Sequence, residues 1–212
     1  FAIVHEIGHQ WWGNMIGANS NDHPFMVEGL TNALSIDIAH DLYGRDVALS
    51  MLEAQMAGRY RQALVRSGDD VVDQPTGLER ANGPGRAALA YGKGALGFLA
   101  IRLEMGGEAW FAAMVDFGER YLYANAEPED LLAVLIERAS GRRYADVVHE
   151  RVIEPAGLGA TGFVRSDELP PEAAIGYLEL TGLRSNVLHM PVVGVGDGGI
   201  YSTVTDLDRL WR

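Results

Sequence analysis

His5 and His9 stand four residues apart, Glu6 adjoins the first, and Glu28 follows His9 after eighteen intervening residues. No other feature restricts the fold of this chain as tightly, because the four side chains can act together only if two helices carry them to one point. Positions i and i+4 share a helix face, so the two imidazoles present neighbouring donor atoms. Zinc in a catalytic site takes three protein ligands in tetrahedral geometry and leaves one position for water. His5 and His9 can fill two corners, and Glu28, arriving on a separate helix, can fill the third. Glu6 projects off the ligand pair, within reach of a metal-held water, which is where a general base is needed. An arbitrary histidine pair is usually a solvated helix face. The full H-E-x-x-H pattern arises by chance in only about one per cent or less of chains this size, and the Glu28 spacing lowers that further. His23, His40, His149 and His189 lack ligand spacing and read as ordinary surface or core residues.

The remaining pattern predicts mostly helices. Apolar positions at helical spacing run over residues 1 to about 16, and Gly17 suits a helix end. Asn21-Asp22-His23-Pro24 reads as the start of a second helix reaching about Tyr43 and stopped by Gly44. A third is expected over about 46 to 66, capped by Asp46 and closed by Ser67-Gly68, followed by a Gly- and Pro-rich loop over 67 to 86. From Ala87 to Met105 the pattern stays helical despite Gly92, Gly94 and Gly97, which predicts close helix packing there. Helices over about 108 to 122 and from Pro128 to about Ser140 follow, the latter stopped by Gly141. Beyond Gly141 come a short helix from Tyr144 to Val152, strand-like runs near 174 to 180 and 188 to 195, a Gly196–Gly199 turn leading into a strand to Ser202, and a helix from Thr203. A segment boundary is therefore expected near residue 141.

Composition narrows the function classes. The 212 residues are 48% hydrophobic, enough for a core in a soluble globular protein. A formal net charge of -12 excludes a nucleic-acid partner, which needs clustered Lys and Arg. The chain has no cysteine, so disulfides, thiolate metal sites and a cysteine nucleophile are excluded. No apolar run approaches the roughly 18 residues that span a bilayer. Phe1 and Arg212 both fall inside amphipathic segments, so the chain reads as a piece of something longer.

His5-Glu6-Ile7-Gly8-His9-Gln10-Trp11-Trp12-Gly13-Asn14, with Glu28-Gly29-Leu30, resembles the zinc peptidases of the aminopeptidase N type. These are gluzincins whose third ligand lies nineteen positions past the second histidine. Tyr91-Gly92-Lys93-Gly94-Ala95 resembles that family's tyrosine motif. The resemblance covers residues 1 to 141 and implies thermolysin-like catalytic helices. By position it makes His5, His9 and Glu28 the zinc ligands, Glu6 the base that activates the zinc-bound water, and Tyr91 the phenol that stabilises the oxyanion. The implied activity is hydrolysis of a peptide or protein substrate. Val27 stands where many members carry asparagine and Ser35 where many carry an acidic residue. The Gly-x-Met-Glu-Asn segment that binds the substrate's amino terminus in this family is not among these residues, so aminopeptidase specificity is implied by kinship alone.

Residues 142 to 212 are similar to another family, the serine beta-lactamases and penicillin-binding proteins. The likeness rests on Tyr144, on Val152-Ile153-Glu154-Pro155 through Thr161-Gly162-Phe163, and on Gly198-Gly199-Ile200-Tyr201-Ser202-Thr203 with Asp206-Leu207. It implies a smaller α+β fragment. That family's chemistry activates a serine with a lysine in S-x-x-K. The single lysine here is Lys93, in the first segment, and no serine has a lysine three residues on. Serine acylation is therefore excluded for this chain alone, and the segment is expected to pack, cap or bind, or to be a fusion remnant without a role. The alternative to a zinc peptidase is a non-catalytic or truncated zinc-binding protein.

Overall fold

The computed structural model describes residues 1–18, 22–70, 72, 84–179, 184–185, 194 and 198–212. The chain is mostly α-helical with a smaller α+β part, and it divides into two compact units, Phe1–Pro128 and Glu129–Arg212.

The first unit is built around α2, Pro24–Tyr43. Pro24 occupies the first helical turn, where its missing N–H costs no hydrogen bond, and Gly44 ends the helix at φ +84°. Met26, Leu30, Ala33, Ile36 and Ala39 are buried, but so are Thr31, Asn32 and Ser35. A helix covered all round is the centre of its unit, and its buried polar side chains call for partners. Helix α1 spans Ala2–Gly8 and packs on α2, where a Cβ at Gly8 would come 3.0 Å from Thr31 Cγ2. The sequence predicts this first helix running to about residue 16. Instead it stops at His9, and Gly13, at φ +112°, turns the chain in a conformation that L residues rarely adopt. Trp12 and Ile16 are then buried.

Next come α3, Arg45–Leu52, a π-helical turn over Glu53–Ala57, and α4, Gly58–Ser67. Gly44 rather than Asp46 is the N-cap, and Asp46 sits in the first turn, where the helix dipole favours an acid. Most of the loop expected over 67 to 86 lies outside the described residues. Helix α5, Pro84–Ala87, leads through a second π-helical segment, Ala88–Lys93, into α6, Gly94–Met105, and then α7, Gly107–Arg120. Gly29 and Gly94 let α2 and α6 approach backbone to backbone: a Cβ on Gly29 would lie 3.1 Å from the Gly94 carbonyl carbon. A Cβ on Gly92 would lie 3.3 Å from the Met56 carbonyl oxygen, so the two π-helical segments meet closely. Gly97 differs from this expectation, since a Cβ there would meet open space.

The core of this unit gathers Trp12, Met26, Met56, Phe98, Trp110 and Phe117. Phe117 is 1% exposed, and its ring stacks on Trp12 at 6.2 Å. Phe117→Ala is expected to destabilise the first unit by about 3 to 5 kcal/mol, the cost of a large buried ring and the cavity it leaves. Urea unfolding checks this, and a midpoint indistinguishable from the parent's would contradict it.

Helix α8, Pro128–Ser140, of which all but Pro128 belongs to the second unit, runs between the proline and glycine that the sequence marks, with Gly141 at φ +66°. Helix α9, Tyr144–Val148, continues as a π-helical turn over His149–Ile153. Strand β1, Gly162–Phe163, pairs antiparallel with β4, Ile200–Tyr201, and β2, Tyr177–Glu179, with β3, Arg184–Ser185. The strand expected near 188 to 195 lies outside the described residues apart from Gly194, as do Gly196 and Asp197. Helix α10, Val204–Leu210, is capped by Thr203, whose hydroxyl accepts from the Asp206 N–H at 3.2 Å. The buried Asp206 carboxylate in turn accepts from Ala160 N–H at 2.7 Å and Thr161 Oγ1 at 2.9 Å. Asp206 thus ties the turn after Pro155 to α10. No described helix is long and apolar enough to cross a membrane.

Candidate metal centre

The short α1 presents His5 from its buried side, and His9 follows as the residue that ends the helix. Glu28 projects from the second turn of α2. Among the described residues these three form a group whose ligand atoms all lie within 4.8 Å of one another. His9 Nε2 is 3.1 Å from His5 Nε2, and Glu28 Oε2 is 3.3 Å and 3.4 Å from the two nitrogens.

Hydrogen bonding alone does not satisfy this arrangement. His9 Nδ1 lies 3.0 Å from the Trp12 carbonyl oxygen, which can only accept, so Nδ1 carries a proton and neutral His9 turns the lone pair of Nε2 toward the group. Glu28 Oε2 is buried without a hydrogen bond of proper geometry. Three donor atoms therefore converge on one small space. For zinc at about 2.0–2.1 Å from each ligand, a tetrahedron has edges of roughly 3.3 Å, which the observed separations match. The residues fit a zinc ion.

Charge coupling within the group is strong. The Glu28 carboxylate, 3.3 Å from His5 Nε2, raises the His5 pKa against the opposing effect of burial. Burial pushes the Glu28 carboxyl up, but His5, the Tyr91 hydroxyl and His9 outweigh it and hold the pKa below its ordinary value. Tyr91 comes from the π-helical Ala88–Lys93 segment, with its ring 5.9 Å from that of His5. Burial, the adjoining Glu28 carboxylate and the charge of Glu6 push the phenol's pKa well above normal. It therefore stays a hydrogen-bond donor at neutral pH. Glu6 is exposed and lines, with His5, Asn32 and Tyr91, a cavity of about 700 Å³.

Two supporting residues escape the motif. Asn32 Nδ2 donates to the Tyr91 carbonyl at 2.8 Å, and the same side chain interacts with His5. His5 Nδ1 and Asn32 Oδ1 are both buried with no hydrogen-bond partner among the described residues. Thr31 Oγ1 lies 3.4 Å from His9 Nδ1 and donates to the Val27 carbonyl at 2.7 Å. Helical spacing is the signal for both, since positions 31 and 32 lie three and four residues past Glu28 on one face of α2. Of the remaining histidines, His23 pairs with Glu127 at 3.0 Å and His40 lies 3.4 Å from Asp41. His149 is exposed, and His189 lies outside the described residues.

Comparison with known proteins places this geometry in context. The chain is 27% identical to aminopeptidase M1-A of Oryza sativa over 150 residues, covering 69% of this chain and 16% of that protein. It is 27% identical to aminopeptidase N of Lactococcus lactis over 171 residues, covering 79% of this chain and 20% of the relative. It thus spans a fifth or less of the length of these curated relatives. The structure of yeast LTA4 hydrolase superposes with a TM-score of 0.53 over 72% of this chain and 25% of that one, at 20% identity, a likeness of fold. Residues 109–211 match the Beta-lactamase family model, overlapping over 109–151 with the other family match. That other match, to the Peptidase family M1 domain, takes in residues 2–151, most of the chain and every residue of the His5–His9–Glu28 group, and the chain belongs to peptidase family M1.

Proposed function

We propose that this chain hydrolyses peptide bonds at a zinc site formed by His5, His9 and Glu28, with the amino-terminal specificity of its aminopeptidase relatives. The convergence of three donor atoms at 3.1–3.4 Å carries the reading. Zinc bound there supplies Lewis-acid polarisation of a substrate carbonyl and activation of water near neutral pH. Glu6, at the cavity surface beside His5, takes the proton from the attacking water and returns it to the leaving amine, serving as base and then acid. The Tyr91 phenol, held protonated, donates to the carbonyl oxygen as negative charge grows on it. Asn32 anchors the backbone that carries Tyr91, and Trp12 fixes the tautomer of His9.

In this reading residues 1–141 are the catalytic region, and residues 142–212 are a beta-lactamase-like fragment that packs or binds without serine chemistry. The second reading is a zinc-binding protein without turnover. Metal analysis and hydrolysis of alanine p-nitroanilide separate the two. The expected result is one equivalent of zinc and hydrolysis abolished by 1,10-phenanthroline and restored by added zinc. Zinc at one equivalent with no hydrolysis would favour the non-catalytic reading.

A further inference from the structure

The cavity that holds Glu6 and Tyr91 has a wall of a different character on α4. Arg59, Gln62 and Arg66 recur at spacings of three and four residues, so they share one helix face, and all three line the cavity together with Gln55 one turn earlier. In this acidic chain arginines commonly sit against carboxylates, as Arg102 does with Asp37 at 3.1 Å, Arg120 with Asp116 at 2.9 Å and Arg143 with Asp146 at 2.8 Å. Arg59 and Arg66 have no ion-pair partner among the described residues. Two guanidinium groups without an ion-pair partner among the described residues, flanked in one cavity by two neutral amides, suit a planar anion, and guanidinium matches carboxylate by two parallel hydrogen bonds. A cavity of about 700 Å³ is large enough for a short peptide. The net charge of -12 disfavours a nucleic acid in the same place.

We propose that Arg59 and Arg66 form a carboxylate-binding end of this cleft, so that it selects short peptides bearing a free carboxylate, at the C terminus or on an acidic side chain. The proposal rests on the peptidase reading and adds the substrate class to it. Gln55 and Gln62 supply amide donors and acceptors for the backbone between the carboxylate and the bond to be cut.

Calorimetric binding tests this with the full chain carrying Glu6→Gln, which prevents turnover, and one added equivalent of zinc. One arm compares trialanine with trialanine amide, and a second compares Ala-Glu-Ala amide with Ala-Gln-Ala amide. In at least one arm the carboxylate peptide is expected to bind about tenfold more tightly, and the arm that responds identifies which carboxylate is read. Adding Arg59→Gln and Arg66→Gln together is expected to erase the preference. Without those substitutions the preference should also shrink as salt rises from about 0.05 to about 0.5 M. Equal affinities in both arms, a preference that survives the double substitution, or no peptide binding would overturn the proposal. Hydrolysis of alanine p-nitroanilide by the unsubstituted chain reads the peptidase assignment separately, because that substrate has no carboxylate. Anilide turnover without carboxylate preference would remove this inference and leave the peptidase reading standing.

Discussion

Glu6→Gln is expected to keep one equivalent of zinc while losing about a hundred- to ten-thousandfold in turnover. The substitution preserves the size and shape of the side chain and removes only its ability to hold a proton. Glu6 lies outside the ligand group, on the exposed side of α1 and on the cavity wall, so the donor atoms of His5, His9 and Glu28 keep their arrangement. The loss should fall on kcat, because a proton-transfer group acts in the transition state and contributes little to holding substrate. Anilide hydrolysis beside metal analysis of the same sample reads both halves, and a nearly unchanged rate would remove Glu6 from the mechanism.

His9→Ala is expected to abolish stoichiometric zinc binding, and activity with it. In the proposed site this histidine is one of three donors, and its ring is also fixed from behind. The Trp12 carbonyl holds its ring in the tautomer that points Nε2 inward, and Gly13 allows the sharp turn that brings Trp12 into place. The affinity lost should exceed the roughly 10- to 100-fold that removal of a supporting residue costs. Asn32→Ala provides that comparison, since Asn32 touches His5 and the Tyr91 backbone but offers no donor to the group. Competition against a chromophoric chelator reads both variants. Equal losses for His9→Ala and Asn32→Ala would mean that His9 is not a ligand.

The parts of this protein legible in the sequence are those set by local chemistry. Pro24 with Gly44, and Pro128 with Gly141, bound α2 and α8 because the backbone rules of those residues act whatever surrounds them. The histidine pair and Glu28 stand out because H-E-x-x-H followed by a glutamate at that distance is a spacing chance rarely produces. What escaped depends on tertiary contact. The end of α1 at His9 is set by the tight turn through Gly13, and apolar periodicity continues past it because Trp12 and Ile16 are buried from a non-helical segment. The π-helical segments over Glu53–Ala57 and Ala88–Lys93 leave no mark on a helical pattern, although the second of them carries Tyr91. Asn32 reads as an unremarkable polar residue until α1 and the Tyr91 segment close around it. Arg59 and Arg66 look like a solvated helix face, and only the cavity beside α4 shows that this face shares one space with Glu6 and Tyr91.

Anomalous scattering at the zinc absorption edge, collected from crystals of the chain grown with one equivalent of zinc, tests the central claim most directly. The expected result is a single strong peak about 2.0–2.2 Å from His5 Nε2, His9 Nε2 and a Glu28 carboxylate oxygen, lost in His9→Ala. A peak coordinated by other side chains, or none at these three, would contradict the assignment of His5, His9 and Glu28 as the metal centre.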